Sequence, residues 1–245
     1  MPADLLLASR YEQMAAAAAR GVDADALRRE TGNLRRRADG AVALPFSEPW
    51  KSIRLLAAPV RLPPSLGSAV ERAQRAALAC LSSTDKADVF STPRDLLHVT
   101  LHHFGRPGDC RVATEEQLAQ ELEHARAVVG STPAFSLTVD RLLLTDTGVL
   151  VLLYQTEDAG PLLLRERLMS AFGDSPQKQT TLLHSSLLRL LAVPAPEEVL
   201  LLRRSLEQTS REIRGAQVPF TSLWYVTERA LPIEGDVVEL PLSHA

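Results

Sequence analysis

The chain has 245 residues, 45% of them hydrophobic and 23% charged, with a formal net charge of −3. That is enough length for a sizeable core, arranged as one domain or as two lobes. The mildly acidic balance argues against a surface built to grip a long phosphate backbone and favours a small anionic substrate.

No apolar run reaches the roughly 18 residues of a membrane span. The opening Met-Pro-Ala-Asp carries an acid where a signal peptide wants bases, so a cytoplasmic monomer without membrane contact is expected, with the nucleus or an organelle left open. Cys80 and Cys110 have neither metal nor redox spacing. They read as reduced thiols of an intracellular protein, with a regulatory disulfide as the alternative.

Residues 4 to about 20 predict a helix, rich in alanine from Ala15 to Ala19 and stopped by Gly21. A second helical piece is expected from Asp23, with Leu27 and Leu34 on one side and Arg28, Arg29, Arg35, Arg36 and Arg37 on the rest. These arginines read as a basic arm for RNA or as a solvated face. The seven Arg of residues 1–50 are matched by seven acids, which favours the solvated face. Gly40 to Trp50, with Pro45 and Pro49, reads as a linker. Residues 1–50 are therefore expected to form a helical extension and linker ahead of a main domain at 51–245.

Ser52 to Val60 predicts a strand, and Ser65 to Leu81 a helix striped by Leu66, Val70, Ala73, Ala77 and Leu81, with Ser68 and Glu71 as its capping box. Ser82 to Asp95 reads as polar loop. Thr114 and Gln117 open a helix to Val129. Residues 134–156 read as a hairpin turning at Thr145-Asp146-Thr147-Gly148. Further helices are expected from Pro161 to Phe172 and from Glu197 to about Ile213, and final strands at Val218–Glu228 and Val237–Leu240. Strands and helices interleave without strict alternation, which predicts an α+β fold with mainly antiparallel sheets.

Within that order one pattern occurs twice. In Leu97-His98-Val99-Thr100-Leu101 and in Leu183-His184-Ser185-Ser186-Leu187 a histidine and a hydroxyl share one strand face, and leucines occupy the other. Two imidazoles can act as acid and base near neutrality, and a hydroxyl two residues on can donate to a phosphate oxygen as charge builds. Placed on opposite sides of a cleft, two such pairs would surround one phosphorus, and no metal or cofactor is required.

At these residues the sequence resembles the 2H phosphoesterase superfamily, which includes RNA 2′,3′-cyclic phosphodiesterases once called 2′-5′ RNA ligases, and plant-type cyclic phosphodiesterases. His98-Val99-Thr100-Leu101 with Phe104-Gly105 is similar to the first motif and its turn, and His184-Ser185-Ser186-Leu187 to the second. The resemblance covers about residues 50–242. It departs in having Ser186 where threonine is commoner, and in its N-terminal extension. It implies two lobes facing across a cleft, His98 and His184 as the acid–base pair, and Thr100 and Ser186 on the phosphate oxygens. The implied partner is a nucleotide or short RNA bearing a cyclic phosphate or a 2′-5′ linkage, and the implied activity is its metal-independent hydrolysis; the alternatives are a nucleotide- or RNA-binding module of the same fold without significant turnover, or RNA 3′-end processing.

Other residues have two readings each. His102, on the His98 face by strict alternation, lines the cleft or sits at its rim. A zinc site from His98, His102 and His103 is a further option, but alternation turns His103 to the other face. Trp224 and Tyr225 lie on a late strand, and one of them faces inward, to stack on a base or to fill the core. Lys178, in the loop before the second motif, is a candidate substrate contact. Arg189 is expected on the face opposite Ser186, in an outer ion pair.

Overall fold

The structure, a computed structural model, describes residues 3–37, 40–47, 52–81, 88–106, 113–157, 159–172, 179 and 181–243. Its order is α1 (Ala3–Ala19), α2 (Ala24–Glu30), β1 (Leu34–Arg37), β2 (Gly40–Ala43), β3 (Arg54–Pro59), α3 (Pro64–Cys80), β4 (Val89–Ser91), β5 (His98–Gly105), α4 (Glu115–Gly130), β6 (Phe135–Leu144), β7 (Val149–Gln155), α5 (Gly160–Phe172), β8 (His184–Leu190), α6 (Pro196–Ile213), β9 (Gln217–Phe220), β10 (Ser222–Ala230) and β11 (Glu234–Pro241).

The strands form three antiparallel sheets: the hairpin β1-β2, a four-stranded sheet β11-β10-β3-β5, and a five-stranded sheet β4-β8-β7-β6-β9. Each larger sheet carries one of the two His strands, β5 in the first and β8 in the second. Helices α4 and α5 pack against the four-stranded sheet, whereas α6 lies on β6 and beside α3. This is the α+β, two-lobed arrangement expected.

Several local signals act as read. The helix expected from Asp23 does begin there, and the Asp23 side chain caps α2 by accepting from the Ala26 N–H at 2.7 Å. Thr114 and Gln117 make both bonds of the capping box that opens α4. Gly148, at φ 76°, turns the β6–β7 hairpin.

Other elements differ from the sequence expectation. The helix after Asp23 stops at Glu30, and Leu34 to Arg37 form a strand whose partner, β2, lies in the expected linker. Arg35, Arg36 and Arg37 therefore belong to a hairpin. The helix α3 is entered through Pro63 and Pro64 without a side-chain cap, and Glu71 pairs instead with Arg94 at 3.0 Å. A short strand, β4, lies in the expected loop and borders β8. The expected strand 218–228 is two strands in different sheets: β9 pairs with β6, and β10 begins two residues later beside β3. Cys80 is a free thiol, and Cys110 lies outside the described residues.

Candidate active site between the two sheets

Val99 and Leu101 of β5 and Leu187 and Leu188 of β8 are buried in one core. Alternation therefore turns His98, Thr100, His184 and Ser186 the other way, and all four line one cavity of about 510 Å³.

Beyond each motif the alternation breaks at the same place. In β5, Ala57 faces Thr100 but Leu56 faces His102, so Leu101 is an extra residue. In β8, Val151 faces Ser186 but Leu150 faces Leu188, so Leu187 is the extra one. Such a bulge reverses which later residues face which side. This corrects three placements. His102 is buried in the core, its ring 4.9 Å from Phe104 and 5.9 Å from Phe172, while His103 lines the cavity. Arg189, expected on the outer face, lines the cavity as well.

The late aromatics separate as alternation requires. Trp224 is in register with Ala57, and Ala57 with Thr100, so Trp224 shares the cavity face two strands away. It packs with Leu55, Ala57, Val226 and Ile233 under the Arg61 guanidinium, outside the cavity wall. Tyr225 points to the helix side, where its hydroxyl donates to Glu121 at 2.7 Å and its ring meets Phe104. It is a core residue, not a substrate contact. Lys178 lies outside the described residues. Its neighbour Gln179 reaches the cavity, accepting from the His103 N–H at 2.9 Å and donating to the His103 carbonyl at 2.8 Å.

The two motif histidines have different surroundings. His98 Nδ1 lies 2.8 Å from the Leu96 carbonyl, a contact that requires Nδ1–H and leaves Nε2 for the cavity. Burial holds this imidazole below its ordinary value, the carbonyl partly restores it, and Arg189 lowers it again. His184 Nδ1 is buried without a hydrogen-bond partner. Burial first, then Arg189, His98 and Arg165, lower His184 to about 4. His103 is lowered to about 3 by burial and by the positive charge of Arg106.

Charged groups complete the wall, among them Arg189, Arg106 and Glu228. Arg189 donates to Glu30 at 3.4 Å and lies 3.5 Å from the Ser186 hydroxyl. Arg106 stands beside His103. Glu228, on β10, is raised to about 7, chiefly by burial, although the Ile233 N–H donates to it at 2.7 Å. Neither Glu228 nor Glu30 carries a sequence signal of cavity placement. Arg189 does have one in hindsight, because it stands at the same offset from His184 as His103 does from His98.

Behind the motifs, α5 supplies a buried guanidinium. Arg165 Nη2 donates to the Thr100 carbonyl at 2.9 Å and to the Leu182 carbonyl at 2.7 Å, so one side chain holds the backbones of both motif segments. From α1, the Tyr11 hydroxyl sits 2.5 Å from the Tyr154 carbonyl and 3.0 Å from that of Leu183, next to His184.

Among the described residues no group of three or more His, Cys, Asp or Glu is placed to hold a metal ion. The zinc option fails geometrically, since the Leu101 bulge sends His102 away from His98 and His103. No described helix is long and apolar enough to cross a membrane.

No family model matches the sequence, and no curated protein matches it. Solved structures do. TT0787 of Thermus thermophilus is 20% identical at TM-score 0.53, over 78% of this chain and 98% of that one. Usb1 of Kluyveromyces marxianus, a protein also solved with uridine monophosphate, is 15% identical at TM-score 0.51, over 78% and 98%. A conserved protein of unknown function from Agrobacterium tumefaciens, ATU0111, is 17% identical at TM-score 0.53, over 85% and 90%. The chain thus has the two-lobed α+β fold of these structures, the fold that the resemblance read from its two His-x-hydroxyl motifs implies.

Proposed function

We propose that the protein is a phosphodiesterase of the 2H type, hydrolysing a 2′,3′-cyclic phosphate or a short 2′-5′-linked oligonucleotide without a metal. The observation that carries this reading is the convergence of His98, Thr100, His184 and Ser186 on one cavity from two different sheets. The arginine-bearing wall suits an anionic substrate. The likeness to Usb1, solved with a nucleotide, agrees with it.

From their unequal surroundings we infer the roles. His98 is the acid, because the Leu96 carbonyl supports its protonated ring. His184 is the base, because burial, the cationic neighbours and an Nδ1 without a hydrogen-bond partner keep it neutral. Water attacks phosphorus in line while His184 takes its proton. The bond from phosphorus to the ribose oxygen breaks, and His98 protonates that oxygen. Thr100 and Ser186 donate to the non-bridging oxygens as their charge grows. Proton exchange with solvent resets both rings.

The test is turnover in chelator with natural and activated esters. His98→Ala and His184→Ala should each lose roughly 10²–10⁴-fold in kcat on a 2′,3′-cyclic nucleotide. A p-nitrophenyl ester leaves without needing a proton, so His98→Ala should be largely spared on it and His184→Ala should not. Equal losses on both esters would overturn the role assignment. Undiminished turnover in both variants would overturn the function.

A further inference from the structure

The N-terminal segment does not stand apart from the cavity. Arg29, Glu30, Asn33 and Phe46 line it together with the motif residues. The same segment is tied to both lobes. On the five-stranded side, the Asp23 N–H donates to the Asp146 carbonyl at 2.7 Å, and Leu27 is buried against the hairpin turn at Gly148. Further along, Glu30 pairs with Arg189, and Arg36 bonds to the Leu191 carbonyl at 3.2 Å and pairs with Asp88. On the four-stranded side, the Phe46 N–H donates to the Arg229 carbonyl at 2.7 Å.

A chain anchored on both lobes and lining the space between them forms a wall across one side of the cleft. We propose that residues 23–37 and 40–46 act as a strap that makes the site end-on, so that it accepts a nucleotide or a chain terminus and rejects a phosphodiester with chain continuing on both sides. The physical reason is steric. An internal linkage needs an exit at each side of the reacting phosphorus, and the strap removes one. The strap also decides specificity at a particular contact, because Glu30 occupies Arg189 until a competing anion takes its place. The proposal rests on the phosphodiesterase reading for its substrate class, but its geometry can be tested by binding alone.

The experiment uses the full chain with adenosine 2′-monophosphate as probe. Displacement of the probe is compared for a linear 2′-5′ triadenylate and for the covalently closed circle with the same linkages. The linear oligomer should compete at least ~100-fold better than the circle. A loosened strap, Arg36→Ala with Phe46→Pro, which removes the N–H that binds the Arg229 carbonyl, should narrow that ratio at least ~10-fold, and thermal melting verifies that the variant is folded. Equal competition by circle and line, an unchanged ratio in a folded variant, or no binding of either the probe or the linear oligomer at millimolar concentration would each overturn the strap. Hydrolysis is scored separately. Binding with the expected ratio but without turnover would remove the phosphodiesterase reading and leave the strap standing.

Discussion

His98 and His184 reach one cavity from separate sheets, yet each is held below the ordinary imidazole value, His184 to about 4. Both rings are therefore neutral near pH 7 in the empty cavity, whereas the reaction needs one of them charged. The cause is chiefly burial, and the negative charge of a bound phosphate opposes it. Two limbs follow. kcat/KM, which reports the free protein, should rise as pH falls from about 7 toward 5. The alkaline limb of kcat, which reports the occupied site, should lie at higher pH, because the substrate anion stabilises the protonated His98. Rates across pH 4.5–9 check this, and a flat profile would remove the two-histidine mechanism.

The elements that matter most are the two bulged strands and the parts that grip them. Arg165 spends a buried charge, lowered to about 10 by burial, on two carbonyls, one beside each motif. A group that only filled space would not need that charge. Arg165→Met removes both of these charged hydrogen bonds and should cost roughly 1–3 kcal/mol of stability. It also removes one of the cations that depress His184. An imidazole titration followed by NMR should therefore show His184 moving upward, and an unmoved His184 in a folded variant would limit Arg165 to bracing. Tyr11→Phe tests the same bracing from α1. Losing the one hydroxyl proton shared between the Tyr154 and Leu183 carbonyls should cost about 1–2 kcal/mol in urea unfolding, without moving His184. The end of β5 is equally tight. A Cβ on Gly105 would lie 2.0 Å from the Ser52 carbonyl oxygen, so that position admits only glycine without a backbone shift.

Across the whole molecule, buried imidazoles link folding to pH. His102 and His184 sit at about 4 and His103 at about 3, against an unfolded value of 6.5. Between those values the unfolded chain takes up protons that the folded chain refuses. Their contribution to stability is therefore complete above pH 6.5 and is lost as pH falls toward 4 and 3. Glu228 acts in the opposite sense. Raised from 4.5 to about 7, it favours the fold below pH 4.5 and loses that contribution as pH rises through 7. Three imidazoles outweigh one carboxyl, so the urea midpoint should increase from pH 4.5 to 6.5. A midpoint that falls over that range would contradict the burial of these rings.

Local chemistry alone determined the two motif faces. In Leu97–Leu101 and Leu183–Leu187 the alternation of leucine with histidine or hydroxyl leaves a strand only one way to bury its apolar side, and the structure follows it. The Thr114–Gln117 box and the Gly148 turn were legible for the same reason, being contacts between near neighbours, whereas the expected Ser68–Glu71 box gave way to the pairing of Glu71 with Arg94. Tertiary structure decided the rest. Whether β5 and β8 carry an extra residue depends on the strands beside them, and those two bulges exchanged His102 for His103 and brought Arg189 inside. The division of 218–228 between two sheets, and the strand at the arginines of residues 35–37, likewise follow from partners distant in sequence or from a hairpin closed by its surroundings. Period-two patterning records which face a residue takes only while the ladder stays regular. Where it slips, the neighbouring strand holds the information.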